Sequence, residues 1–138
     1  MGWVRTKAIH EPRVVPQLWD EMRDSIGNAV AEFNALESNA SDASSEHLDA
    51  KDCTAMGIYC RRVTKAFGAI SIEVFLQEED RTLRTSRSVV CRYRIRSDGS
   101  KAEFFLDKPE GSVAISTEEA CRLALEEFIF QRPEGDKA

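Results

Sequence analysis

The longest apolar pattern in the chain predicts an N-terminal helix. From Leu18 onward, apolar residues recur at alternating spacings of three and four, which places them on one helix stripe. These residues are Trp19, Met22, Ile26, Ala29, Phe33 and Leu36. Pro16 suits the first helical turn, and residues 1–15, which contain Pro12, predict an extended N-terminal arm. A coiled-coil seam is the alternative, but the stripe is short, which favours packing on a sheet.

The next segments predict a linker followed by strands. Residues 37–52 combine five acidic residues with one lysine and many small polar residues, so we expect a flexible acidic, Ser-rich linker. Residues 54–64 fit a strand, with a helix through Phe67 as the alternative. The alternation is clearer in the following strand, whose inward positions are Ile70, Ile72, Val74 and Leu76.

An Asp98-Gly99 pair predicts a β-hairpin between residues 89–96 and a strand that begins near Ala102. A loop at these two residues determines the register. The expected opposed pairs are Arg92 with Phe105, Tyr93 with Phe104, Arg94 with Glu103 and Ile95 with Ala102. Both faces then carry compatible side chains, with Tyr93 and Phe104 toward the core and the arginines outside.

A capping box, Ser116-Thr117-Glu118-Glu119, predicts that a C-terminal helix begins near Thr117. Its apolar stripe is Ala120, Cys121, Ala124, Leu125 and Phe128, and Pro133 opens a polar tail at 133–138. The element order predicts an α+β two-layer sandwich with an N-terminal helix, an antiparallel sheet of three to four strands and a C-terminal helix on one sheet face. We expect residues 16–132 to form this single domain.

Composition and charge limit the classes of function that fit the chain. The 138 residues carry a net charge of −5, which argues against a surface that binds polyanions throughout. No secretion signal or membrane span is evident, so we expect a cytoplasmic protein with no membrane partner. The four cysteines lack metal-ligand spacing, and Cys60, Cys91 and Cys121 fall within apolar patterns typical of buried, reduced thiols.

Candidate catalytic groups are few. His10 and His47 both lie in segments that we expect to be mobile, whereas a general base must be held close to its substrate. Phosphate-binding loops and metalloprotease motifs are absent from the sequence. We therefore expect no catalytic residue, no metal and no cofactor, which favours a protein that is not an enzyme. The alternative, an enzyme whose site the sequence does not reveal, would require a deep pocket with converging polar groups.

A basic segment supplies the candidate contact residues. Between Arg81 and Lys101 there are seven basic residues and one acidic residue. The predicted exposed sheet face carries aromatic and arginine side chains, which are enriched at the centres of protein interfaces. The predicted contact residues on this face are Arg92, Arg94, Arg96, Phe75 and Phe105. The opposing interpretation is that cross-strand acids such as Glu103 and Glu73 neutralise the arginines.

These features favour a protein-binding or homodimerising module that acts through the exposed sheet face. In size, acidity and helix-flanked sheet, the chain is similar to small secretion chaperones, adaptors and toxin-neutralising immunity proteins. That similarity is one of class, and no motif transfers a residue from these groups. The alternative is a binder of an anionic ligand or nucleic acid through the arginine stripe. Nucleic-acid binding is the less favoured of these, because few exposed aromatic residues are present on which bases could stack.

Overall fold

The computed structural model describes residues 3–38, 47–64, 68–97 and 99–130. The elements are α1 Trp3–Ser38, β1 His47–Thr54, β2 Gly57–Thr64, β3 Gly68–Gln77, β4 Thr82–Thr85, β5 Val89–Ile95, β6 Ala102–Lys108, β7 Gly111–Ile115 and α2 Thr117–Ile129. This order confirms the α+β class, with a helix at each end of an antiparallel sheet. The sequence predicts three to four strands, whereas the described residues form seven.

The strands form one sheet in which each pairs antiparallel with the next along the chain, so β1 and β7 are its two edges. Such neighbours need only short connections. The sequence does not predict β4 and β7, because strands of four and five residues are too short to display a clear alternation. A register shift between Leu83 and Arg84 further interrupts the period in β4.

The prediction of an extended arm at residues 1–15 is wrong for the described part, because α1 begins at Trp3. Pro12 and Pro16 lack the N–H that would bond to the carbonyl four residues earlier, which opposes helix formation. However, Val14 and Val15 are buried in the core and extend the apolar stripe toward the N-terminus. Burial of these side chains favours a continuous helix despite the prolines.

The predicted linker at 37–52 is also wrong at both of its ends. Residues 37–38 close α1, and residues 47–52 belong to β1, while 39–46 lie outside the described residues. Leu48 explains the strand, because its side chain is only 1% exposed and contributes to the core. For residues 54–64, the strand prediction holds and the helical alternative is wrong, since β2 covers most of this range.

The register predicted for the β5–β6 hairpin is confirmed. Its opposed pairs are Arg92 with Phe105, Tyr93 with Phe104, Arg94 with Glu103 and Ile95 with Ala102. The reversal is wider than two residues, because the amide of Gly99 donates to the carbonyl of Arg96 over 2.8 Å. Gly99 has a φ of 73°, a conformation that favours glycine. Asp98 itself lies outside the described residues.

Both helices pack against one face of the sheet and against each other. At the start of α2, the hydroxyl of Ser116 accepts a hydrogen bond from the amide of Glu119 over 3.0 Å, which confirms the predicted cap. The predicted α2 stripe is buried in full: Ala120, Cys121, Ala124, Leu125 and Phe128. The predicted tail at 133–138 lies outside the described residues. Neither α1 nor α2, as far as they are described, combines the length and apolarity needed to cross a lipid bilayer.

Candidate functional site on the open face of the sheet

The sheet face that points away from the helices carries the predicted contact residues. Successive side chains in a strand alternate between faces, so one face packs on the helices while the other meets solvent. We call the latter the open face, and its members include Asp49, Lys51, Tyr59, Arg61, Glu73, Phe75, Arg84, Arg92, Arg94, Glu103, Phe105 and Asp107. Arg96 directly follows β5 at the end of this face.

Two arginine side chains pack on the ring of Phe105 on the open face. The guanidinium carbon of Arg92 lies 5.2 Å from the ring centroid, and that of Arg94 lies 4.9 Å from it. Arg92 stands directly opposite Phe105 across the β5–β6 pair, and Arg94 lies diagonally. A guanidinium at this distance is attracted to the aromatic ring while its alkyl stem covers apolar surface.

Phe105 is therefore not an exposed contact ring, and that part of the sequence-based expectation is corrected. Its exposure is only 6% although it lies on the open face. The cause is local, because the long side chains of Arg92 and Arg94 cover the ring from β5. Phe105 can support the arginines from beneath, but it offers almost no surface of its own to a partner.

The same arginines form ion pairs with carboxylates of β6. Arg92 Nη1 lies 3.0 Å from Asp107 Oδ2, and Arg94 Nε donates to Glu103 Oε1 over 3.0 Å. Arg96 Nη2 lies 4.0 Å from Glu103 Oε2. Three guanidinium groups thus face two carboxylates, so most of the positive charge of the stripe is balanced across the β5–β6 pair. Glu103 acts as the sequence predicts, whereas Glu73 lies on β3, away from these arginines.

Phe75 lies apart from the arginine stripe. It is half-buried on β3, where it stands opposite Gly57 on one side and Arg84 on the other. Between β3 and β6 there are three strand spacings, or about 14 Å. The structure therefore brings Arg92, Arg94 and Phe105 together, with Arg96 beside them. Phe75 is a separate apolar side chain on the same face.

Sequence reasoning missed the part of the open face that β1 and β2 form. A cavity of about 360 Å³ is lined there by Asp49, Ala50, Lys51, Tyr59 and Arg61. A second, of about 300 Å³, is lined by Cys53, Thr54, Ala55, Met56, Glu73, Phe75 and Leu76. Phe75 is a predicted contact residue, whereas the β1 residues Asp49, Ala50 and Lys51 were missed because 37–52 reads as a linker. The alternation of Leu48 and Ala50 with polar neighbours is the signal that indicates a strand.

The cysteines and His47 do not assemble into a reactive centre. Burial raises the pKa of Cys60 and Cys91 to about 12 and that of Cys121 to about 11, so these three thiols remain protonated. They are buried, as expected, whereas Cys53 is exposed. His47 lies in β1 rather than in a mobile linker, and its Nε2 lies 2.8 Å from Asp49 Oδ1 at the surface. Within the described residues, no three His, Cys, Asp or Glu side chains are grouped to hold a metal.

Comparison of the chain with protein-family models, with curated proteins and with solved structures finds no match.

Proposed function

We propose that this chain is a non-enzymatic protein-binding module that uses the open face of its sheet. Its contact residues are Arg92, Arg94, Arg96 and Phe75. The observation that carries the proposal is the packing of two guanidinium groups on the ring of Phe105, each of which also forms an ion pair with a carboxylate. Phe105 acts in this arrangement as the support under Arg92 and Arg94.

This arrangement suits a protein contact because it orders long side chains before a partner arrives. Immobilising a flexible side chain at an interface costs about 0.5–1.5 kcal/mol, and Arg92 and Arg94 have already lost much of that freedom. One face of each guanidinium lies toward Phe105, and the edge is engaged by Asp107 or Glu103. The opposite face of each guanidinium remains available to stack on an aromatic ring or a peptide group of a partner protein.

The alternative partner is an anionic ligand or a nucleic acid bound through the same arginines. The concentration of basic residues in β4–β6 favours it. However, a phosphate that binds Arg92 or Arg94 at its edge must displace Asp107 or Glu103, so the ion pairs oppose this alternative. We therefore place a partner protein first.

Site-specific photo-crosslinking in cells tests the proposal. A crosslinking amino acid replaces Ser71, which is exposed on the open face, and in a parallel variant it replaces Gln17, which is exposed on α1. We expect a discrete adduct with a partner protein from position 71 and none from position 17. Equal crosslinking from both positions, or none from position 71, would contradict the proposal.

The partner identified in this way is then tested with purified proteins. We expect the double variant Arg92→Ala/Arg94→Ala to bind at least about tenfold more weakly, as for loss of interface arginines. The matched control is Arg13→Ala/Arg122→Ala, which removes two exposed arginines from the helices and should bind like the wild type. A protein contact of this kind should weaken little with salt. A steep salt dependence with single-stranded nucleic acid as the ligand would instead support the alternative.

A further inference from the structure

The edge strand β7 lacks the features that usually prevent a sheet from pairing with another strand. Its residues Gly111–Ile115 are exposed or half-exposed and include no charged side chain and no proline. Natural sheet edges are commonly protected by charges, prolines or covering elements. An uncovered edge without them presents backbone N–H and C=O groups that another strand can bind.

The opposite edge, β1, is closed by a side chain from α1. Asn34 Nδ2 donates to the carbonyl of Leu48 over 2.7 Å, and Asn34 Oδ1 accepts from the amide of Leu48 over 3.0 Å. The amide side chain therefore bonds the two outward backbone groups of Leu48, which a neighbouring strand would otherwise use. Charged residues such as Asp49 and Lys51 protect this edge further. The two edges of the sheet thus differ in their capacity to pair.

The hydrogen-bond alternation identifies which β7 groups face outward. In the β5–β6 hairpin the amide of Arg96 donates to the carbonyl of Lys101. Because antiparallel bonding alternates along a strand, the backbones of Glu103, Phe105 and Asp107 also bond toward β5. The backbones of Phe104, Leu106 and Lys108 bond toward β7. With Val113 opposite Leu106, the inward residues of β7 include Val113. The backbone groups of Ser112 and Ala114 then point to the free edge, where no described residue bonds to them.

We propose that β7 is the docking site for a second copy of this chain, which pairs with it antiparallel about a two-fold axis at Val113. In this register Ser112 lies opposite Ala114 of the second copy, so the outward-pointing backbone groups of the two chains meet each other. Val113 lies opposite its own counterpart on the helix side of the sheet. Its side chain is 42% exposed in the single chain and becomes covered by a second β-branched side chain.

The hairpin turn that precedes β7 lies near the N-terminus of α2 of the second copy in the same register. Glu110 falls opposite Ser116 of the second copy, at the N-terminus of α2, where the helix dipole favours a negative charge. Lys108 takes no part in this contact, because it lies on β6 and pairs with Gly111 across the hairpin turn. Because the axis is two-fold, each contact occurs twice, which is the self-complementarity that a homodimer requires. This argues for a second copy rather than an unrelated strand.

The same asymmetry limits the assembly to a dimer. Once the β7 edges have paired, the outer edges of the combined sheet are both β1, which Asn34 protects at Leu48 and charged side chains protect farther along the strand. A single strand pair buries less area than a stable interface usually needs, so we expect a dissociation constant between about 1 μM and 1 mM. The proposal concerns the sheet edge and does not depend on the function proposed for the open face.

Sedimentation velocity of the full chain over about 1 μM to 1 mM tests this pairing. We expect a concentration-dependent shift from monomer to dimer in the wild type. Ala114→Pro removes an outward N–H without removing a bond to β6, and Val113→Lys opposes two positive charges at the axis. Both variants should remain monomeric at the concentrations where the wild type is dimeric, with dimerisation weakened at least about tenfold.

The controls separate this edge from the rest of the surface. Val89→Lys makes the same chemical change at a strand residue that is 47% exposed, and it should dimerise like the wild type. Arg92→Ala/Arg94→Ala should also dimerise normally, since the open face is not part of this interface. A wild type that stays monomeric throughout, or a dimer that persists in folded Val113→Lys, would overturn the proposal. Circular dichroism establishes that each variant is folded.

Discussion

Replacing Asn34 with alanine removes the side chain that closes the β1 edge. The change deletes one donor and one acceptor, which lie 2.7 and 3.0 Å from the carbonyl oxygen and amide nitrogen of Leu48. Leu48 is 1% exposed, so water cannot fully replace these bonds without rearrangement of the edge. We therefore expect Asn34→Ala to lower the free energy of unfolding.

The expected loss follows from two opposing contributions. A net intramolecular hydrogen bond stabilises a protein by about 1 kcal/mol, so two bonds contribute about 2 kcal/mol. Alanine is the better helix former by about 0.5 kcal/mol, which offsets part of that loss because Asn34 lies within α1. The net change is a decrease of about 1.5 kcal/mol, which lowers the urea midpoint by about 0.5 to 1 M.

Urea unfolding monitored by the fluorescence of buried Trp19 and by circular dichroism provides the assay. Asn28→Ala is the matched control, because Asn28 is exposed in the same helix and reports the propensity gain alone. We expect Asn28→Ala to stabilise slightly and the two variants to differ by about 2 kcal/mol. If Asn34→Ala is as stable as Asn28→Ala, the amide does not hold the edge, and the argument that β1 is closed fails with it.

Further measurements address the open face and the thiols. Phe105→Ala should lower the free energy of unfolding by about 2–4 kcal/mol, because the ring is only 6% exposed. Asp107→Ala breaks an exposed ion pair and should cost less than about 1 kcal/mol. Equal losses in denaturant titrations would refute the role of the ring. Burial raises the pKa of the three buried thiols to about 11 or 12, so these thiols ionise in the unfolded chain at a lower pH than in the folded protein. Urea midpoints should therefore be insensitive to these thiols below pH about 8.5 and fall above it. A rise above that pH would contradict the burial of the thiols. In the native protein an aromatic disulfide reagent should modify Cys53 alone, and Cys53→Ser should abolish the fast reaction.

Dimerisation at β7 would enlarge the open face of the sheet. Pairing at β7 joins the two sheets edge to edge, so the open faces of both copies lie on one extended sheet. The Arg92–Phe105–Arg94 group stands on β5 and β6, close to β7, and would therefore occur twice near the middle of that surface. A partner that contacts both copies would bind more tightly than one that contacts a single copy.

Local patterns in the sequence determined several elements correctly. The capping box at Ser116 places the start of α2, because the groups that satisfy the first helical turn are within three residues of each other. The β5–β6 register follows from a turn signal flanked by alternating residues, and the Arg94–Glu103 pair confirms it. These features depend on interactions between residues that are close in sequence, where pattern and structure correspond directly.

Other features depended on contacts that only the tertiary structure provides. The helix continues through Pro12 and Pro16 because Val14 and Val15 become buried, and β1 forms because Leu48 is buried and Asn34 bonds to its backbone. Phe105 alternates onto the outer face, as its position in the strand predicts, yet neighbouring arginines cover it. Alternation determines which way a side chain points, whereas its exposure is determined by residues that lie beside it only after the chain has folded.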